Sequence, residues 1–349
     1  MAAISGKQTL VAVNVASTHG TEVATTHLVP VDVFNFGKST GRLDGNTLGI
    51  NRSMLDAVIP GAETVQPSFT SKMNYEETYG FFLAQFMGTA GAPTEQNGGQ
   101  GDYLHTLTFN TTLNAKPLTV SVKDTSTTTS TYPSAYVTGV TLSTSDVPNF
   151  LTGQFNMIAN DLDLSSSTNT TTVLNALTPT TANYIIPEQA DEFLINAQAG
   201  GALSNSTDLV SIRSFSLTLA RPQNVVNEIK GSDTASAPQD GGLFNAQLTV
   251  ELKNMADHTY LTAQEANTEY KCSLDIQGTQ IGSGDNETFK ILIPRMVIAD
   301  VPGRDLSNPG DNPLSITFEC LVASANPTGM DSTYPYFEIT NNFATDLLA

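Results

Sequence analysis

Apolar and polar residues alternate with period two along most of this chain, the mark of half-buried β-strands. The runs are "TLVAVNVA" at the start, "LVPVDVFNF" from Leu28, "LHTLTFNTTL" from Leu104, "PLTVSVKD" from Pro117, "AYVTGVTLST" from Ala135 and "LTGQFNMIAN" from Leu151. After a polar gap come "LVSIRSFSLTLA" from Leu209, "FNAQLTVELK" from Phe244, "EYKCSLDIQG" from Glu269, "FKILIPRMVIA" from Phe289 and "LSITFECLVA" from Leu314. In "IRSFSLTLA" the apolar set is Ile212, Phe215, Leu217 and Leu219, and the last three share one face. A sheet with one packed face is implied. The short "GSGDNE" from Gly282 predicts a hairpin turn between two of these strands.

Helix signals are few. Asn74 can cap "YEETYGFFLAQFM", with Glu77 as its capping-box partner, and Tyr79, Leu83 and Phe86 then line one face. A second short helix is expected in "ADHTYLTAQEAN" from Ala256, capped by Asp257, with Tyr260, Leu261 and Ala263 as its apolar patch. Each follows directly on a strand.

The two units correspond. "KMNYEETY" from Lys72 sets against "KNMADHTY" from Lys253, matching Lys72 with Lys253, Thr78 with Thr259 and Tyr79 with Tyr260. Downstream, "YVTGVTLSTSDVP" from Tyr136 sets against "ILIPRMVIADVP" from Ile291, and "FNMIAND" from Phe155 against "FECLVAS" from Phe318. Three matches in one order are what a duplicated fold produces. The polar stretch "SSSTNTTTVLNALTPTT" from Ser165 divides the strands near the middle. The expected organisation is a first β domain over 1–164 with an N-terminal extension, a polar linker over 165–186, and a second β domain over 187–349 with a C-terminal tail.

Composition narrows the function classes. The 349 residues carry 34 Asp+Glu against 15 Lys+Arg, a formal charge of −19. Tight binding to a polyanionic duplex is disfavoured, because such affinity comes from Lys and Arg on phosphates. Charged residues are only 14%, so Thr, Ser, Asn and Gln must supply most of the polar surface. Two cysteines, Cys272 and Cys320, make no disulfide framework and read as buried free thiols. The N-terminus lacks a signal-peptide pattern, and no window approaches the ~20 apolar residues of a membrane span.

Motifs for chemistry are missing from the sequence. There is no phosphate-binding Gly-rich loop, no nucleophile elbow, and no zinc-type spacing among His19, His27, His105 and His258. No catalytic residue, metal or cofactor is therefore expected. A β-rich assembly protein such as a capsid decoration or fimbria-like subunit stays open, as does a carbohydrate-binding module. The absence of Trp weakens the last.

Read as a whole, "LVSIRSFSLTLARPQNVV", "GLFNAQLTVELKNMADHTYLTA", "FKILIPRMVIADVPGRDL" and "NPLSITFECLVA" resemble a tail tube protein of long-tailed bacteriophages. The first half resembles the same family through "SFTSKMNYEETYGFFLAQFMG", "PLTVSVKD" and "YVTGVTLSTSDVPNFLTGQFNMIA". The resemblance spans most of residues 28 to 330. It implies two tandem antiparallel β-sandwich or partial-barrel domains, each with one short flanking α-helix. It also implies a virion protein made in the host cytoplasm, with no catalysis, that polymerises into rings. Two domains per chain imply a trimeric ring with pseudo-six-fold symmetry, stacked into a tube. The other partners implied are the tape measure, terminator and baseplate or tip proteins, with genomic DNA passing through the lumen unbound and no membrane. The excursions "KSTGRLDGNTLGINRSMLDAVIPG" and "RPQNVVNEIKGSDTASAPQD" match in position, and the resemblance makes them reach a neighbouring subunit or ring. Their apolar residues Leu48, Ile50, Leu55 and Ile59, and Val225, Val226 and Ile229, are the expected contact residues.

Overall fold

The computed structural model describes residues 9–44, 58–89, 91–112, 116–178, 183–188, 190–225, 228–229, 235–253, 258–301 and 314–349. Alternation becomes strand throughout. The first half carries β1 (Leu10–Val15), β2 (His27–Val29), β3 (Val33–Asn35), β4 (Lys38–Asp44), β5 (Val58–Val65), β6 (Ser68–Lys72), helix α1 (Glu77–Met87), β7 (Thr94–Glu95), β8 (Tyr103–Leu107), β9 (Leu118–Lys123), β10 (Ser130–Thr144) and β11 (Thr152–Ala159). Helix α2 (Thr171–Ala176) follows. The second half carries β12 (Glu192–Ala197), β13 (Ile212–Ala220), β14 (Gln223–Asn224), β15 (Gln239–Asp240), β16 (Asn245–Leu252), α3 (Thr259–Glu265), β17 (Glu269–Gln280), β18 (Asn286–Asp300), β19 (Leu314–Cys320) and β20 (Tyr336–Asn341).

One antiparallel sheet runs β3-β6-β11-β10-β13-β16-β19-β18 across both halves. Its register places like residues in rows. Phe34, Phe69, Phe155, Val140, Leu219, Ala246, Cys320 and Met296 stand side by side across the strands. The next row on the opposite face is Val33, Thr70, Gln154, Thr141, Thr218, Gln247, Glu319 and Val297. A period of two thus makes one apolar and one polar face. The sheet does not close on itself. It ends at β3 on one side and at the C-terminal part of β18 on the other.

The long strands β10 and β18 each serve two sheets. The N-terminal part of β10 pairs with β9, which leads on to β1 and β2. The N-terminal part of β18 lies between β17 and β20, with β12 beyond β17 and β8 and β7 beyond β20. These outer strands fold over the apolar face and enclose the core. The two halves therefore share a pairing order: β3-β6-β11-β10-β9-β1 in one and β13-β16-β19-β18-β17-β12 in the other.

Helix α1 departs from the expectation of an amphipathic flanking helix. From Thr78 to Gly88 every residue is buried, Phe81 and Phe82 as much as Tyr79, Leu83 and Phe86. A helix apolar all round belongs inside a core. It starts two residues later than Asn74 suggests: Glu76 is the N-cap and makes no side-chain cap bond. Asn74 is instead buried in a β-bridge to Tyr184. Helix α3 has His258 as its N-cap, also without a side-chain cap bond, and Asp257 lies outside the described residues. It lies at the surface as foreseen, with Ala263 as its buried residue.

Several elements escaped the pattern. β12 is the outermost named strand beyond β17, and β20 zips β18 to β8 of the other half. The polar stretch from Ser165 holds α2, whose Leu174 packs on Ala12 and Leu28. Asn169 there is fully buried and bonds the backbone of Thr25 and Val23. The residues before Leu28 are likewise part of the fold through β1. Cys272 and Cys320 are free thiols, the first buried and the second half-buried, and burial pushes both thiols up.

Candidate assembly surface

The two excursions are hairpins rooted at matching places. β3 runs through Phe36 and Gly37 into β4, which pairs back with β5 from Lys38↔Val65 to Asp44↔Val58. Gly37 has φ 59, and a Cβ there would lie 1.8 Å from the carbonyl oxygen of Gln66, so only glycine fits this turn. β13 runs through Arg221 and Pro222 into β14, which pairs with β15 at Gln223↔Asp240. At each root a cation on the outgoing strand meets a carboxylate on the returning one. Lys38 Nζ lies 2.8 Å from Glu63 Oε2, and Arg221 Nε lies 3.0 Å from Asp240 Oδ1.

The two roots differ in what surrounds them. The Lys38 side chain is 29% exposed and Arg221 is 2% exposed. Arg221 is covered by the first half of its own chain. Its guanidinium sits 5.0 Å from the centroid of the Phe109 ring and 3.5 Å from the carbonyl oxygen of Phe86, near the end of α1. Its backbone N–H donates to Thr138 O at 2.8 Å. Gln223 Nε2 donates to Val137 O at 3.1 Å. Further along, Ala235 is buried, and its N–H donates to Asn160 O at 3.5 Å. His19 Nε2 meets Ala235 O at 3.2 Å. The second excursion is thus clamped onto the middle of β10 and the end of β11.

The strands at this junction are paired too. β10 residues Gly139 to Thr144 pair with β13 from Ala220 to Phe215. At the far ends of the same sheet, β3 pairs with β6 alone among the described residues, and beyond Val297 no described strand joins β18 on the side of β17. Val33 on β3 is 62% exposed, and Ala299 and Asp300 on β18 are exposed. Open edges of this kind accept another strand.

The expected contact residues fall unevenly. Leu48, Ile50, Leu55 and Val226 lie outside the described residues. Ile59 is placed in β5 opposite Leu43. Val225 is half-buried, and Ile229 is fully exposed. The structure adds exposed apolar residues the pattern did not mark, Leu243 at 90% and Val322 at 49% exposure. They border a groove of about 650 Å³ at the end of β19, floored by Phe109, Phe244 and Tyr334.

The polar face of the long sheet is mostly uncharged. One row reads Lys72, Thr152, Ser143, Ser216, Thr249, Thr317 and Asp300. Glu251 and Glu319 add carboxylates, and Arg213 binds Asp146 and Glu251. Among the described residues no group of His, Cys, Asp and Glu could hold a metal, and no helix is long and apolar enough to cross a membrane.

A family model described as a phage tail tube protein matches residues 6–320. No curated protein matches the chain.

Proposed function

The chain belongs to the phage tail tube protein family and is a structural protein of the virion, and on that premise we propose that its two halves are tandem copies of one tube domain. The observation that carries the proposal is the shared pairing order, with a hairpin after the first strand of each long-sheet segment and a helix after the second. A ring then needs three chains for six domains. The β10–β13 junction supplies the template for closing it: β18 of one chain takes β3 of the next, and the long sheets join into a barrel. Association of this kind is heterologous and closes by rotation.

The polar face of that barrel then lines the lumen. Threonine, serine, asparagine and glutamine carry no charge to hold phosphate, Arg213 is paired with Asp146 and Glu251, which leaves Lys72 as the named cation of the row, and Asp300 and Glu319 repel DNA. The conduit reading thus rests on chemistry present on the sheet. The enclosed apolar face already packs against α1 and the outer strands, so it is not free to face the channel. No reaction is assigned to the chain. Stacking of rings, and contacts with the tape measure, terminator and baseplate or tip proteins, follow from the same role.

The two hairpins are the proposed contacts to neighbours, with Leu48, Ile50 and Leu55 between β4 and β5 and Ile59 on β5 in one, and Val225, Val226 and Ile229 in the other. Asp44 and Val58 are paired, so replacing residues 45–57 by Asn-Gly closes the hairpin with a two-residue turn. The expected product is a folded chain of unchanged melting temperature that forms no tubes under the electron microscope. Tubes of normal length from this variant would remove the first hairpin from the interface.

A further inference from the structure

β20 lies outside the pairing order that the two halves share. It fills a slot between strands of different halves, pairing with β18 from Thr288↔Thr340 to Leu292↔Tyr336 and with β8 from Phe337↔Leu107 to Asn341↔Tyr103. Asn341 Nδ2 donates to Tyr75 O at 3.1 Å. Further on, the Phe343 ring meets Phe81 and His105, and buried Leu347 reaches α1, where a Cβ on Gly80 would lie 3.0 Å from its Cδ1. Lys116 Nζ donates to Leu348 O. Residues 336–349 are thus a strap laid across both halves. Without it, β18 at 288–292 and the facing side of β8 would each present an unpaired edge, the kind that takes a strand from another chain.

A buried cation holds the lead into this strap. Lys271 on β17 is 0% exposed, and its Nζ donates to Thr328 O and to Gly200 O, each at 3.0 Å. Burial pushes its pKa down, and the nearby Asp208 carboxylate works against that. A buried ammonium is costly unless its donors are met, so the two carbonyls and Lys271 fix one another. Thr328 stands midway between the end of β19 and the start of β20. The Ala323 N–H donates to Thr333 O at 2.9 Å and closes the same connection nearer its ends. We propose that Lys271 keeps the strap in its own chain: it pins the β19–β20 connection at Thr328, so that β20 closes the β18–β8 slot in cis and is not exchanged with the β20 of another copy. A tethered strand meets its slot at a high effective concentration while the tether is short and held. A freed connection is the hinge of a domain swap. The device belongs to the single chain, whatever ring it joins, and it leaves β3 and the end of β18 as the open edges.

The test marks which chain supplies the strap. Thr288 and Thr340 are directly opposite, with hydroxyl oxygens 2.9 Å apart, so Thr288→Cys with Thr340→Cys in the full chain can link β20 to the β18 it lies on. Light and isotopically heavy chains carrying both cysteines are mixed, oxidised with glutathione disulfide and digested. With Lys271 in place, the 288–340 disulfide peptides are expected to be light–light or heavy–heavy. Adding Lys271→Met should raise the light–heavy share at least ~10-fold and give dimers by light scattering. Oxidising the Lys271→Met chain when dilute, before mixing, locks the strap in cis and should keep it monomeric. An unchanged light–heavy share in Lys271→Met overturns the proposal, and so do dimers that persist in the locked chain. A Lys271→Met chain that misfolds and is not restored by the lock also overturns it, because the strap is then in place and the defect lies elsewhere.

Discussion

Replacing Tyr79 by alanine lowers the stability of the chain by about 3–5 kcal/mol, read as a shift in the denaturant midpoint at constant slope. The ring is 1% exposed and packs in a cluster with Phe69, Phe82 and Phe155. Its hydroxyl donates to Pro30 O at 2.7 Å and lies 2.5 Å from Ser71 Oγ. The substitution therefore opens a cavity and strips partners from buried oxygens at once. Burial also pushes the phenol pKa well up, so the hydroxyl keeps its proton over the working range. Tyr260, the residue matched with it in the sequence comparison of the two halves, is half-buried on a surface helix. The Tyr260→Ala cost should stay near ~1–2 kcal/mol. Equal losses at the two positions would contradict the unequal burial of the two helices.

The second large effect is expected at Arg221. Arg221→Ala removes the cation that ties the root of the second excursion to α1, Phe109 and Asp240. The expected loss is about 3 kcal/mol, the lower end for breaking a buried pair, because Asp240 is 40% exposed and can be rehydrated. Arg221→Lys keeps the charge but forfeits the paired donors and the stacking on Phe109, and should recover only part of the loss. Lys38→Ala, at the other root, should change the stability of the single chain by no more than ~0.5 kcal/mol. Chemical denaturation of the three variants, followed by far-ultraviolet circular dichroism, checks all three values. A loss at Arg221→Ala as small as that at Lys38→Ala would mean the clamp is not what holds the excursion.

Strands with one wet face were legible because alternation is written directly in the sequence. "IRSFSLTLA" reads the same on paper as in β13, with Phe215, Leu217 and Leu219 inward. The order of strand, helix and later long strand in each half was legible for the same reason. What escaped lacked that signal. α1 looked amphipathic because Tyr79, Leu83 and Phe86 are spaced for one face, but Phe81 and Phe82 already fill the other. β12 and β20, no shorter than β1, escaped because adjacent residues are both buried, Phe193 with Leu194 and Tyr336 with Phe337, so no alternation marks them. The threonine-rich stretch from Ser165 gave no hint that Asn169 would satisfy buried backbone groups around Thr25. Val322 and Leu243 could not be picked out either, since an aliphatic residue at a strand end carries no mark of exposure.

The claim that organises all of this is a ring of three chains built from six copies of one domain. The measurement that addresses it most directly is electron microscopy of assembled rings, averaged in views down the axis. The account predicts an inner wall with near six-fold repetition and true three-fold symmetry, the difference appearing at the outer strands, where the halves diverge. Rings of six whole chains would contradict it, because the β10–β13 junction would then not be the template for closing the barrel.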